Sequence, residues 1–183
     1  MPTRQALIIV LAMAIVQPRL SGQAAPPKRP SPPPSTLPGG ASEIQETHGD
    51  WRVRCQQGKE LTCVVVQQQA DKDTRQLVLG VELKAVSAQK AEGTILLPFG
   101  LAVSQPVAVQ IDETPATTLP FRTCVPVGCL VPVTFDGTRL SELKKGTVLT
   151  VKANAPDGVQ ETVFRISLSG ISGALDRALA LGK

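Results

Sequence analysis

Leu77-Val78-Leu79-Gly80-Val81-Glu82-Leu83-Lys84 decides the fold class. Leu77, Leu79, Val81 and Leu83 recur with a period of two, against Val78, Gly80, Glu82 and Lys84. A pleated strand turns such a set onto one face, whereas a helix scatters it around its axis. Outward along the chain the period returns. Val107, Val109 and Ile111 alternate with Ala108, Gln110 and Asp112; Leu149, Val151 and Ala153 repeat the pattern, as do Phe164, Ile166 and Leu168. Trp51–Cys55, Leu61–Gln68, Thr94–Phe99, Leu119–Val125 and Gly128–Phe135 bring the expected strands to about nine. Turn pairs such as Gln57-Gly58, Phe99-Gly100, Val127-Gly128 and Asp136-Gly137 separate them. Many short strands with frequent turns predict an all-β fold, an antiparallel β-sandwich or a partly closed barrel. Two short helices complete it. One runs over Thr138–Lys145 and stops at Gly146. The other runs over Ser172–Leu181 at the C-terminus, capped by Ser172, with Ile171, Leu175 and Leu179 forming a stripe that packs on the sheets.

The chain has 183 residues, and its first part reads differently. A basic start at Arg4 leads into an uncharged run from Ala6 to Val16 and a small-residue exit at Gly22-Gln23-Ala24. That plan predicts a signal peptide over 1–24, and the run is shorter than the roughly 20 residues a membrane span needs. No integral membrane segment is expected after cleavage. Residues 25–48 read as a disordered proline-rich linker, since proline lacks an N–H and fixes φ. Residues 49–183 then form one domain. With no tyrosine and a single tryptophan, its core must be Val, Leu and Ile. The net charge of +4 is spread without a dense basic stripe, so no nucleic-acid partner is expected.

Four cysteines lie in two close pairs, Cys55 with Cys63 and Cys124 with Cys129. Behind an export signal an even count predicts two disulfides. Three pairings are open. The two local ones are preferred, because each pair flanks a glycine-containing turn between expected strands. The seven-residue interval between Cys55 and Cys63 departs from the two-to-four spacing of zinc knuckles, export exposes the thiols to oxidants, and no metal or cofactor is expected.

Nothing in the chain reads as an enzyme active site. His48 is the sole histidine and falls in the polar lead-in, away from any nucleophile that a catalytic device would need. Asp112 and Glu113 are adjacent, so a strand turns them to opposite faces. Asp71-Lys72-Asp73 reads as a solvated turn without a full calcium ligand pattern. A hydrolase with an unfamiliar pair of carboxylates is the enzymatic rival.

From Trp51 onward the chain resembles the invasion-associated locus B family of bacterial envelope proteins. The resemblance rests on Trp51-Arg52-Val53-Arg54-Cys55, Cys63 leading into Gln67-Gln68, Leu97-Pro98-Phe99-Gly100 and Val109-Gln110-Ile111-Asp112. It continues through Pro120-Phe121-Arg122-Thr123-Cys124 with Gly128-Cys129, then Ser167-Leu168-Ser169-Gly170 followed by Ala174-Leu175. Leu130-Val131-Pro132-Val133 is more apolar than that pattern. The resemblance implies a β-sandwich-like domain, bridged by disulfides, in the periplasm or outer envelope of a Gram-negative bacterium or secreted from it. It implies no catalytic residues, and links some members to host-cell invasion. The expected function is binding to an envelope or host protein that the sequence does not name. The alternative is a periplasmic chaperone or assembly factor for envelope proteins.

Overall fold

The structure, a computed structural model, describes residues 35–75 and 77–182. The expected signal peptide and residues 25–34 of the expected linker lie outside them. Eleven strands and two helices follow in chain order: β1 (Glu43–His48), β2 (Trp51–Gln57), β3 (Leu61–Ala70), β4 (Leu77–Ser87), β5 (Lys90–Leu97), β6 (Val107–Ile111), β7 (Thr117–Leu119), β8 (Thr123–Val125), β9 (Gly128–Asp136), α1 (Gly137–Lys145), β10 (Val148–Asn154), β11 (Glu161–Ser167) and α2 (Ile171–Leu181). Seven strands form one sheet in the order β1-β2-β3-β4-β5-β9-β8, and four form another in the order β11-β10-β6-β7. Neighbouring strands are antiparallel throughout.

The two-residue period does what the sequence predicts. Trp51, Val53 and Cys55 are buried while Arg52, Arg54 and Gln56 are exposed. Leu79, Val81 and Leu83 turn the same way on β4. They join Val107, Val109 and Ile111, with Leu149, Val151 and Ile166 of the smaller sheet, in one continuous core. Each such aliphatic side chain contributes about 1.5–3 kcal/mol on burial, set against the conformational entropy lost in ordering the chain. Helix α2 lies against β2, β3 and β4 and buries Ile171, Ala174, Leu175 and Ala178.

Three features differ from the sequence reading. Glu43–His48, assigned to the linker, is strand β1, paired along its length with β2, and Leu37 is buried in the core. Its polar residues read as lead-in because an edge strand has one apolar neighbour at most. Leu119–Val125, expected as one strand, splits into β7 of the small sheet and β8 of the large one. Pro120 falls between them; without an N–H it cannot continue a ladder, and the chain changes sheets there. Ser172 does not cap α2. The cap position belongs to Gly170 at φ 89°, where a Cβ would collide with the carbonyl of His48.

Candidate functional site

The four cysteines form the two local bridges, Cys55–Cys63 and Cys124–Cys129, leaving no free thiol. Each joins residues directly opposite across an antiparallel pair. For the first the reason is legible in the ladder. Gln57 N–H donates to Ser42 O at 2.8 Å, and hydrogen-bonding direction alternates along a strand, so the backbone groups of Cys55 face β1. Cys55 and Cys63 thus meet at a non-hydrogen-bonded position, where two chains approach most closely; their Cα atoms are 4.0 Å apart.

The polar residues weighed as catalytic are committed elsewhere. His48 closes β1 rather than lying in a loose lead-in, and its Nε2 sits 3.5 Å from Glu46 Oε2. Glu46 also accepts from Arg177 Nε at 2.8 Å and Nη2 at 2.7 Å. The guanidinium holds its carboxyl below the usual range, with burial opposing and His48 assisting. Asp71 accepts from the N–H groups of Asp73 and Thr74 and from the Thr74 hydroxyl, which lowers its pKa, chiefly through the Thr74 N–H. Asp112, at φ 44°, spends both oxygens on the N–H groups of Thr147 and Val148. It shares a depression with Glu142, whose Oε2 accepts from Arg139 at 3.0 Å. Both carboxylates therefore serve as acceptors that fasten backbone or helix. Among the described residues no group of three or more His, Cys, Asp or Glu is arranged to hold a metal ion, and no helix is long and apolar enough to cross a membrane.

What remains is the outer face of the large sheet. Register runs Arg52, Val66, Glu82, Thr94 and Pro132 in one row across five strands, and Gln68, Gly80, Leu96, Leu130 and Thr123 in the next. Gly80 floors a depression of about 320 Å³, with Val66, Leu96, Leu130 and Val127 around it and Arg54 and Glu82 on its rim. A second, of about 720 Å³, lies between Leu77, Val78, Pro98, Phe99 and Pro126, with Asp71 and Thr74 at one side, and is again bounded by Val127. Phe99 and Val127 are 60% and 63% exposed, unusual for apolar side chains placed side by side. Val127 sits at the tip of the hairpin closed by Cys124–Cys129. That hairpin lies close on β5 because Gly128 (φ 146°) has no Cβ to strike the Leu97 carbonyl.

Arg52 and Arg54 take part in none of the ion pairs among the described residues. Their cross-strand neighbours are uncharged: Thr47 and Gln45 on β1, Val66 and Val64 on β3. Sequence reasoning did not assemble this surface. Its trace was present in the apolar doublets Val65-Val66, Leu96-Leu97 and Leu130-Val131, which break the two-residue period and must leave one member outside. The unexpectedly apolar segment after Cys129 is the third of these.

Comparison with known proteins places the domain. The profile described as Invasion associated locus B (IalB) protein matches residues 51–179. An invasion protein B homolog of Brucella abortus is 45% identical over 150 residues, covering 81% of this chain and 87% of that protein. Invasion protein B of Bartonella bacilliformis is 30% identical over 182 residues, with 97% of each covered. The crystal structure of invasion associated protein B from Bartonella henselae matches with a TM-score of 0.70 and 31% identity, over 75% of this chain and 96% of that one.

Proposed function

The chain belongs to the invasion associated locus B family, and on that footing we propose that it is an exported, non-catalytic envelope protein of a Gram-negative bacterium that works by binding another protein. The observation that carries this reading is the outer face of the large sheet, where two depressions with partly apolar walls lie beside two exposed arginines without ion pairs. The relatives' name, invasion protein B, supports a part in entry into host cells. The local disulfides agree with an oxidising compartment.

Two measurements test it. Fractionation should recover the chain, shortened near residue 24, outside the cytoplasm. A photo-crosslinking side chain at Glu82 should capture a protein in intact cells, while one at Thr118, on the edge strand of the small sheet, should not. Equal capture from both positions, or none from either, removes the reading. A second reading, a chaperone for envelope proteins, draws on the exposed Phe99 and Val127. It requires the purified domain to slow aggregation of unfolded outer-membrane proteins irrespective of their charge, and ends if excess domain has no effect.

A further inference from the structure

We infer that the outer face of the large sheet binds an extended segment of a partner protein, with two aliphatic side chains at alternate positions followed by an acidic one. This rests on the binding reading above and specifies its ligand.

Gly80 lies on the outward-facing side of β4, between Gln68 and Leu96, where a side chain would otherwise stand. A Cβ added there meets Leu96 Cβ at 3.5 Å and Leu96 Cδ2 at 3.7 Å. Those are ordinary contacts, so neither crowding nor backbone angle demands glycine. What its lack of a side chain leaves is the floor of the first depression.

Val127 bounds this depression and the one beside Phe99. Two neighbouring sockets that share Val127 as a wall suit an extended chain, whose residues i and i+2 project from one face. A helix presents its neighbours three and four residues apart instead. Beyond the first socket, on the side away from Val127, stand Arg54 and, two residues along β2, Arg52. Neither has a carboxylate opposite it on the neighbouring strands. A carboxylate in the next alternate position of the ligand supplies that charge, through the bidentate geometry that guanidinium favours. Glu82, on the same rim, keeps the acidic residue to the β2 side. Two arginines and sockets of this size fit a peptide better than a lipid surface, which is attracted by larger basic clusters.

The test uses the full exported protein and a fluorescein-labelled peptide, Gly-Leu-Ser-Leu-Ser-Glu-Gly, with a second in which Lys replaces Glu. Anisotropy titration should show saturable binding of the first peptide and about tenfold weaker binding of the second. Gly80→Val fills the socket and should weaken binding by about tenfold or more while leaving the thermal midpoint no lower. Val127→Ser, at an exposed tip, gives the same answer should Gly80→Val fail to fold. Arg54→Glu should reverse the preference between the two peptides, and Glu82→Gln should tighten the acidic one. The proposal is overturned by absence of saturable binding up to about 1 mM, by curves unchanged in Gly80→Val and Val127→Ser, or by indifference to the Glu-to-Lys exchange. Binding to phosphatidylglycerol vesicles that Arg54→Glu abolishes, without peptide binding, also overturns it. Crosslinks from Glu82 in cells with no peptide binding would sink this ligand and leave the broader reading standing.

Discussion

The indole N–H of Trp51 donates to the backbone carbonyl of Ser167 across 2.9 Å, from residues 116 positions apart. The same carbonyl accepts the side-chain amide of Gln67 at 3.0 Å, which also reaches Asp50 O at 3.3 Å. Gln69 donates to Arg165 O at 2.8 Å. Ser167 and Arg165 belong to β11, at the edge of the small sheet, while Trp51, Gln67 and Gln69 come from the large one. Side chains of one sheet thereby satisfy backbone acceptors on the open edge of the other, which has no further strand to pair with.

Removing these donors should reveal their coupling. Trp51→Phe and Gln67→Leu should each destabilise by about 0.5–1.5 kcal/mol, the net worth of one hydrogen bond, since each leaves Ser167 O one donor. The double variant should lose more than the sum, because the carbonyl is then stranded. Guanidinium denaturation followed by circular dichroism reads this, and strict additivity would refute it.

The bridges close short loops, with sequence separations of 8 and 5. Loop entropy therefore assigns each about 2–2.5 kcal/mol. Cys55→Ala with Cys63→Ala should lower stability by that amount, seen through the sole tryptophan, which is fully buried. Cys124→Ala with Cys129→Ala should weaken capture by the outer face as well, since Val127 rides on that hairpin. Mass spectrometry of the protein isolated from cells without reductant should find two bonds; four alkylatable thiols would end the disulfide account.

Glu46 joins β1 to α2 through Arg177. Its carboxyl lies below its ordinary range in the folded protein, so the unfolded chain binds a proton more readily. The stabilisation is complete above the ordinary carboxylate value, about 4.3, and is lost as pH falls through the lower folded value. Glu46→Gln should therefore lower the melting temperature at neutral pH, by an amount that shrinks as the pH falls below the ordinary carboxylate range. A difference that persists undiminished in acid would disprove the linkage.

Gly170 begins α2 at φ 89° with the His48 carbonyl against its Cα. Gly170→Ala should cost several times the roughly 1 kcal/mol of an ordinary left-handed alanine, because the β1–β2 turn has to give way. Amide exchange should show α2 and β1 loosening together. Normal protection of both would argue against this packing.

The sequence by itself determined the strands with strict alternation, because period two admits one pleated reading, and it determined the preferred cysteine pairs, because each flanks a turn short enough to bring its ends together. It also carried the start and stop of α1 and most of α2. The tertiary structure alone decided the rest. β1 gains its partner only when β2 is beside it, and Glu46 meets Arg177 across 131 residues. Gln67 looks like any surface glutamine until β11 brings Ser167 O within its reach. The socket over Gly80 needs Leu96, Leu130 and Val127 from three later segments; local pattern records which way a residue faces, but only the order of strands in the sheet fixes which residues share a face.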